Sequence, residues 1–187
     1  MSHSDRAAAG AIVRHHDELA AALNGHVAEL IVAAEIGGLR QAFTARDTLA
    51  GWVRTELLPH ASAEEQALYP AAARQPGAGL LVDGMVAEHR AIVALVTELE
   101  ATSSPVAAAA AGRGLRAVFE THLAKENDLI LPLLVDADGV DLAALLVGLH
   151  ELIGADADTP AEGCGCHGCG CGTDAPGAVT VELRRDL

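Results

Sequence analysis

Apolar residues recur every third or fourth position along four long stretches of the chain and a shorter fifth, the spacing of one face of an α-helix. The first stripe is Ile12, His16, Leu19, Leu23, Val27, Leu30 and Ala34; Ser4 and Asp5 suit an N-cap, and Gly37 with Gly38 suits a stop. The second covers about 44–74 with Leu49, Val53, Leu57, His60, Glu64, Ala67 and Ala71. Pro59 inside it removes a backbone donor and predicts a kink just before His60, and Pro70 ends or bends the last turn. The third, 78–101, carries Val82, Met85, Val86, His89, Val93 and Val96. The fourth, 105–135, follows a Ser-Ser-Pro cap signal and carries Leu115, Val118, His122, Glu126, Leu129 and Leu133. A fifth, about 140–153, is apolar enough to pack across one end. Short connections between long amphipathic helices imply antiparallel neighbours, so the pattern predicts an all-α, up-down-up-down four-helix bundle with a short fifth helix over residues 4–153.

Each long stripe is broken by ionisable residues at inward positions: His16, His60 with Glu64, His89, and His122 with Glu126. Four residues on a helix turn through about 400°, so both members of each H-x-x-x-E pair leave the same face. Unpartnered buried ionisable groups cost about 2 kcal/mol or more each, so six of them in one core call for a common cause. A pair of metal ions supplies it, with two imidazoles on each and both carboxylates bridging. Nitrogen with carboxylate oxygen suits iron, manganese or zinc, and two bridging carboxylates favour iron or manganese.

Residues beside these six are expected to matter less. His15 points about 100° from His16 and is read as surface or as a support to the ligands. Glu56, one turn before His60, is a candidate to hydrogen-bond a ligand imidazole. Glu65 and Glu88 are expected to be solvated, His26 and His150 to be structural, and Trp52 and Tyr69 to be packing residues.

Composition sharpens the picture. Only four residues are aromatic, which favours closely packed helices over a sheet. Twelve basic against 26 acidic residues give a net charge of −14, which disfavours nucleic acid and anionic membranes as partners. No uninterrupted apolar run approaches a membrane span. Asp5, Arg6, Arg14 and His15 stand where a signal peptide would be apolar, so the cytoplasm is the expected compartment.

The character changes after the fifth stripe. Residues 154–163 read as a linker. Within 164–171, Cys164, Cys166, His167, Cys169 and Cys171 form a glycine-spaced C-x-C-H-x-C-x-C string, a candidate second site for zinc, copper or an iron–sulfur cluster. All four cysteines lie here, so no disulfide framework braces the bundle. Residues 172–187, with alternating Val179, Val181 and Leu183, read as a disordered tail or the opening of a further domain.

The strings RHHDELAAAL (14–23), LLPHASAEEQALYP (57–70), VAEHRAIVALV (86–96) and HLAKENDLILPLL (122–134) resemble the hemerythrin-like, HHE cation-binding family over about 8–152. The resemblance implies that His16 and His89 are the single histidines of the first and third helices. It also implies that His60/Glu64 and His122/Glu126 are the pairs with bridging glutamates. Oxygen-carrying members have a further histidine where this chain has Val93, so the resemblance is to the four-histidine, two-glutamate di-iron type. That type implies two oxo- or hydroxo-bridged irons, with manganese as an alternative, and small ligands such as O2, NO or peroxide. It points to O2, NO or peroxide response, or to iron and iron–sulfur homeostasis. A non-enzymatic O2/NO sensor and an iron storage or donor protein are the alternatives; whether the site turns over peroxide or NO, and which protein partner it serves, stays open.

Overall fold

The computed structural model describes residues 3–157, so residues 158–187, including the cysteine string and the alternating tail, lie outside the described residues. Eight α-helices and two π turns make up four rods and a cross-piece: α1 (His3–Ile36), α2 (Leu39–Trp52), α3 (Leu58–Ala67), α4 (Tyr69–Ala73), α5 (Gly79–Ala101), α6 (Pro105–Lys125), α7 (Leu131–Asp136) and α8 (Leu142–Ala157). A π turn at Val53–Leu57 joins α2 to α3, and another at Glu126–Ile130 joins α6 to α7. The rods are therefore α1, α2 through α4, α5, and α6 with α7. Rod one and rod three each pack on rods two and four, in the expected antiparallel bundle, and α8 lies against α1 and α3.

Both π turns have the same proline signature. Pro59 and Pro132 each stand two residues after the last π residue, at the start of the next α-helix. A proline cannot donate to the carbonyl four residues back, and the chain answers with i to i−5 bonds, Leu58 N–H to Val53 O and Leu131 N–H to Glu126 O. The predicted kink at Pro59 is thus realised as a π turn.

The π turn at Glu126–Ile130 inserts one extra residue and shifts the stripe beyond it, which corrects the inward set. In the fourth rod Leu129 is exposed and Leu133 half-buried, while Ile130, Leu131 and Leu134 are buried. In the second rod Leu68 replaces Ala67 as the buried position. Phe119 is buried beside a half-buried Val118.

Helix ends also differ from the pattern. α1 starts at His3, so Asp5 is not its cap; its buried carboxylate instead accepts from the Leu142 N–H and ties the start of α8 to the first rod. The second rod begins at Leu39 rather than near 44, and α8 runs to Ala157, into the stretch read as a linker. Ser104 does cap α6, accepting from Ala107 N–H. One 18-residue window of α1 reaches a mean hydropathy of 1.4, enough by length and composition to cross a membrane. Here its stripe, Ile12 through Leu30, is spent on the bundle interior.

Two apolar clusters fill that interior. One holds Leu19, Leu57, Leu58, Ile92, Phe119 and Leu123; the other holds Ile12, Leu68, Tyr69, Met85, Ile130 and Leu131. Every rod passes from one cluster to the other through the residues that interrupt its stripe. A polar layer therefore sits between two dry ones.

A candidate metal centre between the two cores

His16, His60, Glu64, His89, His122 and Glu126 all lie in that layer, none more than 2% exposed. The ligand atoms of His16, His60 and Glu64 lie within 4.8 Å of one another, and so do those of Glu64, His89 and His122. Glu64 belongs to both groups. Its Oε1 is 3.3 Å from His16 Nε2 and 2.7 Å from His60 Nε2, and its Oε2 is 3.6 Å from His89 Nε2. Glu126 spans the same gap from the opposite rod: its Oε2 is 3.7 Å from His16 Nε2 and 3.6 Å from His122 Nε2. The arrangement is two half-sites with two imidazoles each and two carboxylates between them.

Both ring nitrogens of His60 and both carboxylate oxygens of Glu126 lack a hydrogen bond of good geometry, although His60 Nε2 lies 2.7 Å from Glu64. Buried polar atoms left so are costly. Imidazole nitrogen and carboxylate oxygen in this grouping fit a di-iron site. The sequence matches the family model of the hemerythrin HHE cation-binding domain over residues 8–134 and 83–158. The chain belongs to the hemerythrin HHE cation-binding family. No curated protein and no solved structure matches it.

Membership makes this a metal-binding protein of the di-iron type, and the electrostatics of the hemerythrin-like layer agree. Burial works against a charge on Glu64, but His60, His16 and His89 more than offset it and hold the carboxyl well below its usual range. Glu126 has the opposite fate: burial, then the negative charge of Glu64, push its pKa well up. One carboxylate is charged and the other keeps its proton, as expected of two acids sharing a site that lacks cations. Burial also opposes charge on His89, yet hydrogen bonds to Glu64 and Glu65 raise it to about 9. His122 falls to about 4, through burial first and then the neighbouring His89 cation.

An outer ring of partners orients the imidazoles. Nδ1–H of His16 donates to Asn127 Oδ1 at 2.7 Å, that of His89 to Glu65 Oε1 at 2.8 Å, and that of His122 to Glu88 Oε2 at 3.2 Å. With Nδ1 so engaged, each ring turns Nε2 toward the interior. Lys125 donates to the other oxygen of Glu88. Glu65 and Glu88 are thus working partners rather than solvated charges. Glu56 is exposed and supports no ligand, because the π turn rotates it away from the face of His60.

The half-exposed His15 ring packs edge-on against His60, at 4.9 Å between centroids, and burial together with the His60 charge lowers its pKa. His26 packs on Trp52 as a structural residue would. Val93 packs beside the first apolar cluster and offers no ligand atom. Tyr69 is more than packing: its hydroxyl donates to His122 Nε2 at 3.3 Å, and its ring stacks on His89. The side chain of His150 lies outside those described.

Proposed function

We propose that the six residues hold two iron ions and that the protein handles a small oxidant or gas, such as O2, NO or peroxide, in stress response or in iron and iron–sulfur homeostasis. The observation that carries this reading is the shared carboxylate. Glu64 lies against imidazoles of both half-sites, and Glu126 repeats the bridge from the facing rod, between His16 and His122. His16 and His60 would hold one ion, His89 and His122 the other. Two irons there would supply one-electron redox chemistry and coordination positions left open by the missing third-helix histidine.

The protein's own residues set the conditions for that chemistry. Asn127, Glu65 and Glu88 fix the ring tautomers, and the two apolar clusters exclude water from both ends of the layer. Glu126 and His89 hold protons that cations replace, so the site exchanges protons for metal charge. The compartment that fits this reading is the cytoplasm.

The test is anaerobic loading with Fe(II), followed by stopped-flow addition of O2, NO or peroxide with optical detection. The expected result is a spectral change with at least one of the three, in proportion to bound iron. Consumption of many equivalents would mark an enzyme, and saturation at one or two a sensor or binding module. A loaded protein whose spectrum responds to none of them would overturn the reading.

A further inference from the structure

We propose that Tyr69 is itself a ligand: its phenol oxygen joins the His89/His122 position as a phenolate when that position holds a trivalent ion, and makes the two positions unequal. This rests on the metal-centre reading above. The hydroxyl is 3.3 Å from His122 Nε2, which is 3.1 Å from His89 Nε2. Around an ion with bonds of about 2.1 Å, adjacent donors stand about 3 Å apart, so the phenol oxygen is spaced as a third donor beside the two imidazoles. Among the described residues, no phenol stands beside the His16/His60 half-site. The ring lying against His60 is that of His15, whose Nδ1 faces Glu18 at 4.0 Å.

Tyr69 stands four residues after Glu65, about 400° of rotation on, so its ring leaves the same flank of the second rod as the carboxylate that meets His89, and it is 2% exposed. The ring is held by stacking on His89, with centroids 5.6 Å apart and planes 16° apart. Two donors, Tyr69 O–H and His89 Nε2, converge on the single lone pair of His122 Nε2. A cation at that spot takes the lone pair and displaces the phenol from it.

The oxygen can then turn to the ion itself. On loading, the O–H bond breaks, the proton passes to solvent, and a metal–oxygen bond forms from the same electron pair. No electron changes owner.

Tyr69 is the one tyrosine in the chain, so ring-deuterated tyrosine labels this position alone without any substitution. Full-length protein loaded with Fe(III) is expected to show a visible phenolate-to-iron band whose enhanced tyrosine Raman modes shift on labelling. Tyr69→Phe is expected to lose that band completely while keeping two irons per chain. Two bound irons with no such band, or with modes that ignore the label, would overturn the role of Tyr69 and leave the metal centre standing. Failure of the wild-type chain to bind iron would overturn both. Should Tyr69→Phe not fold, as judged by circular dichroism, the labelling experiment on the wild type decides alone.

Discussion

Replacing Glu126 by glutamine should change stability in opposite directions with and without metal. Glu64 Oε1 and Glu126 Oε2 lie 3.3 and 3.7 Å from the same His16 nitrogen, so they are no more than about 7 Å apart. Two negative charges at that distance or closer repel by at least about 2 kcal/mol at an effective dielectric of about 20. Glu126 escapes this by keeping its proton, with a folded pKa well above the 4.5 of an unperturbed glutamate. The group's contribution to stability is therefore complete below pH 4.5 and is lost as pH climbs through the raised value. Glutamine has no proton to lose. In chelator, wild type and variant should be close in stability at pH 4.5, and the variant should gain on wild type with rising pH by about 2 kcal/mol or more, since burial adds to the repulsion. Titrating groups remote from the layer are common to both proteins and cancel in the difference. With metal the sign reverses, because the variant lacks one bridging carboxylate; its metal affinity should fall by more than about 100-fold, beyond the usual cost of losing an outer partner. Urea unfolding across pH, in chelator and in excess metal, reads both arms. A glutamine variant that loses ground as pH rises in chelator, or that binds metal as tightly as wild type, would refute the reasoning.

Loading at pH 7 should release protons, chiefly from Glu126 and from His89, whose pKa stands at about 9. Calorimetry in buffers of different ionisation heat should count them, and metal affinity should weaken as pH falls. In the metal-free protein His89 contributes stability that is full below pH 6.5 and lost by about pH 9, so His89→Gln should flatten that limb of the stability profile. Asn127→Ala or Glu65→Ala should weaken metal binding by about 10- to 100-fold with little change in helix content, as read by competition against a chromogenic chelator. Asp5→Ala should cost about 1 kcal/mol and speed amide exchange at the start of α8, because the Leu142 N–H loses its acceptor.

The four-rod bundle and the six inward ionisable side chains were legible from periodicity, since a histidine or glutamate in an apolar stripe stands out against its neighbours. What periodicity hid was the shift of register. Leu129 and Leu133 fit a straight helix, and only the i to i−5 bonding beside Pro132 brings Ile130, Leu131 and Leu134 inward instead. The same effect removed Glu56 from the site, and Tyr69 enters it one turn after Glu65, on the flank that meets His89. The outer ring did leave a signal in the chain. Glu65, Glu88 and Asn127 each stand next to a ligand, and about 100° of rotation places each one toward a neighbouring rod. Glu65 beside Glu64 serves His89, Glu88 beside His89 serves His122, and Asn127 beside Glu126 serves His16. Which rod each would meet depends on bundle packing, so single-helix spacing could not assign the partners.

The central claim, that two ions share the buried layer, is tested most directly by iron X-ray absorption on the loaded protein with parallel metal analysis. The account predicts two irons per chain, nitrogen and oxygen neighbours only, and an iron–iron vector no longer than about 4 Å. One iron per chain, or two with no iron–iron vector, would contradict it.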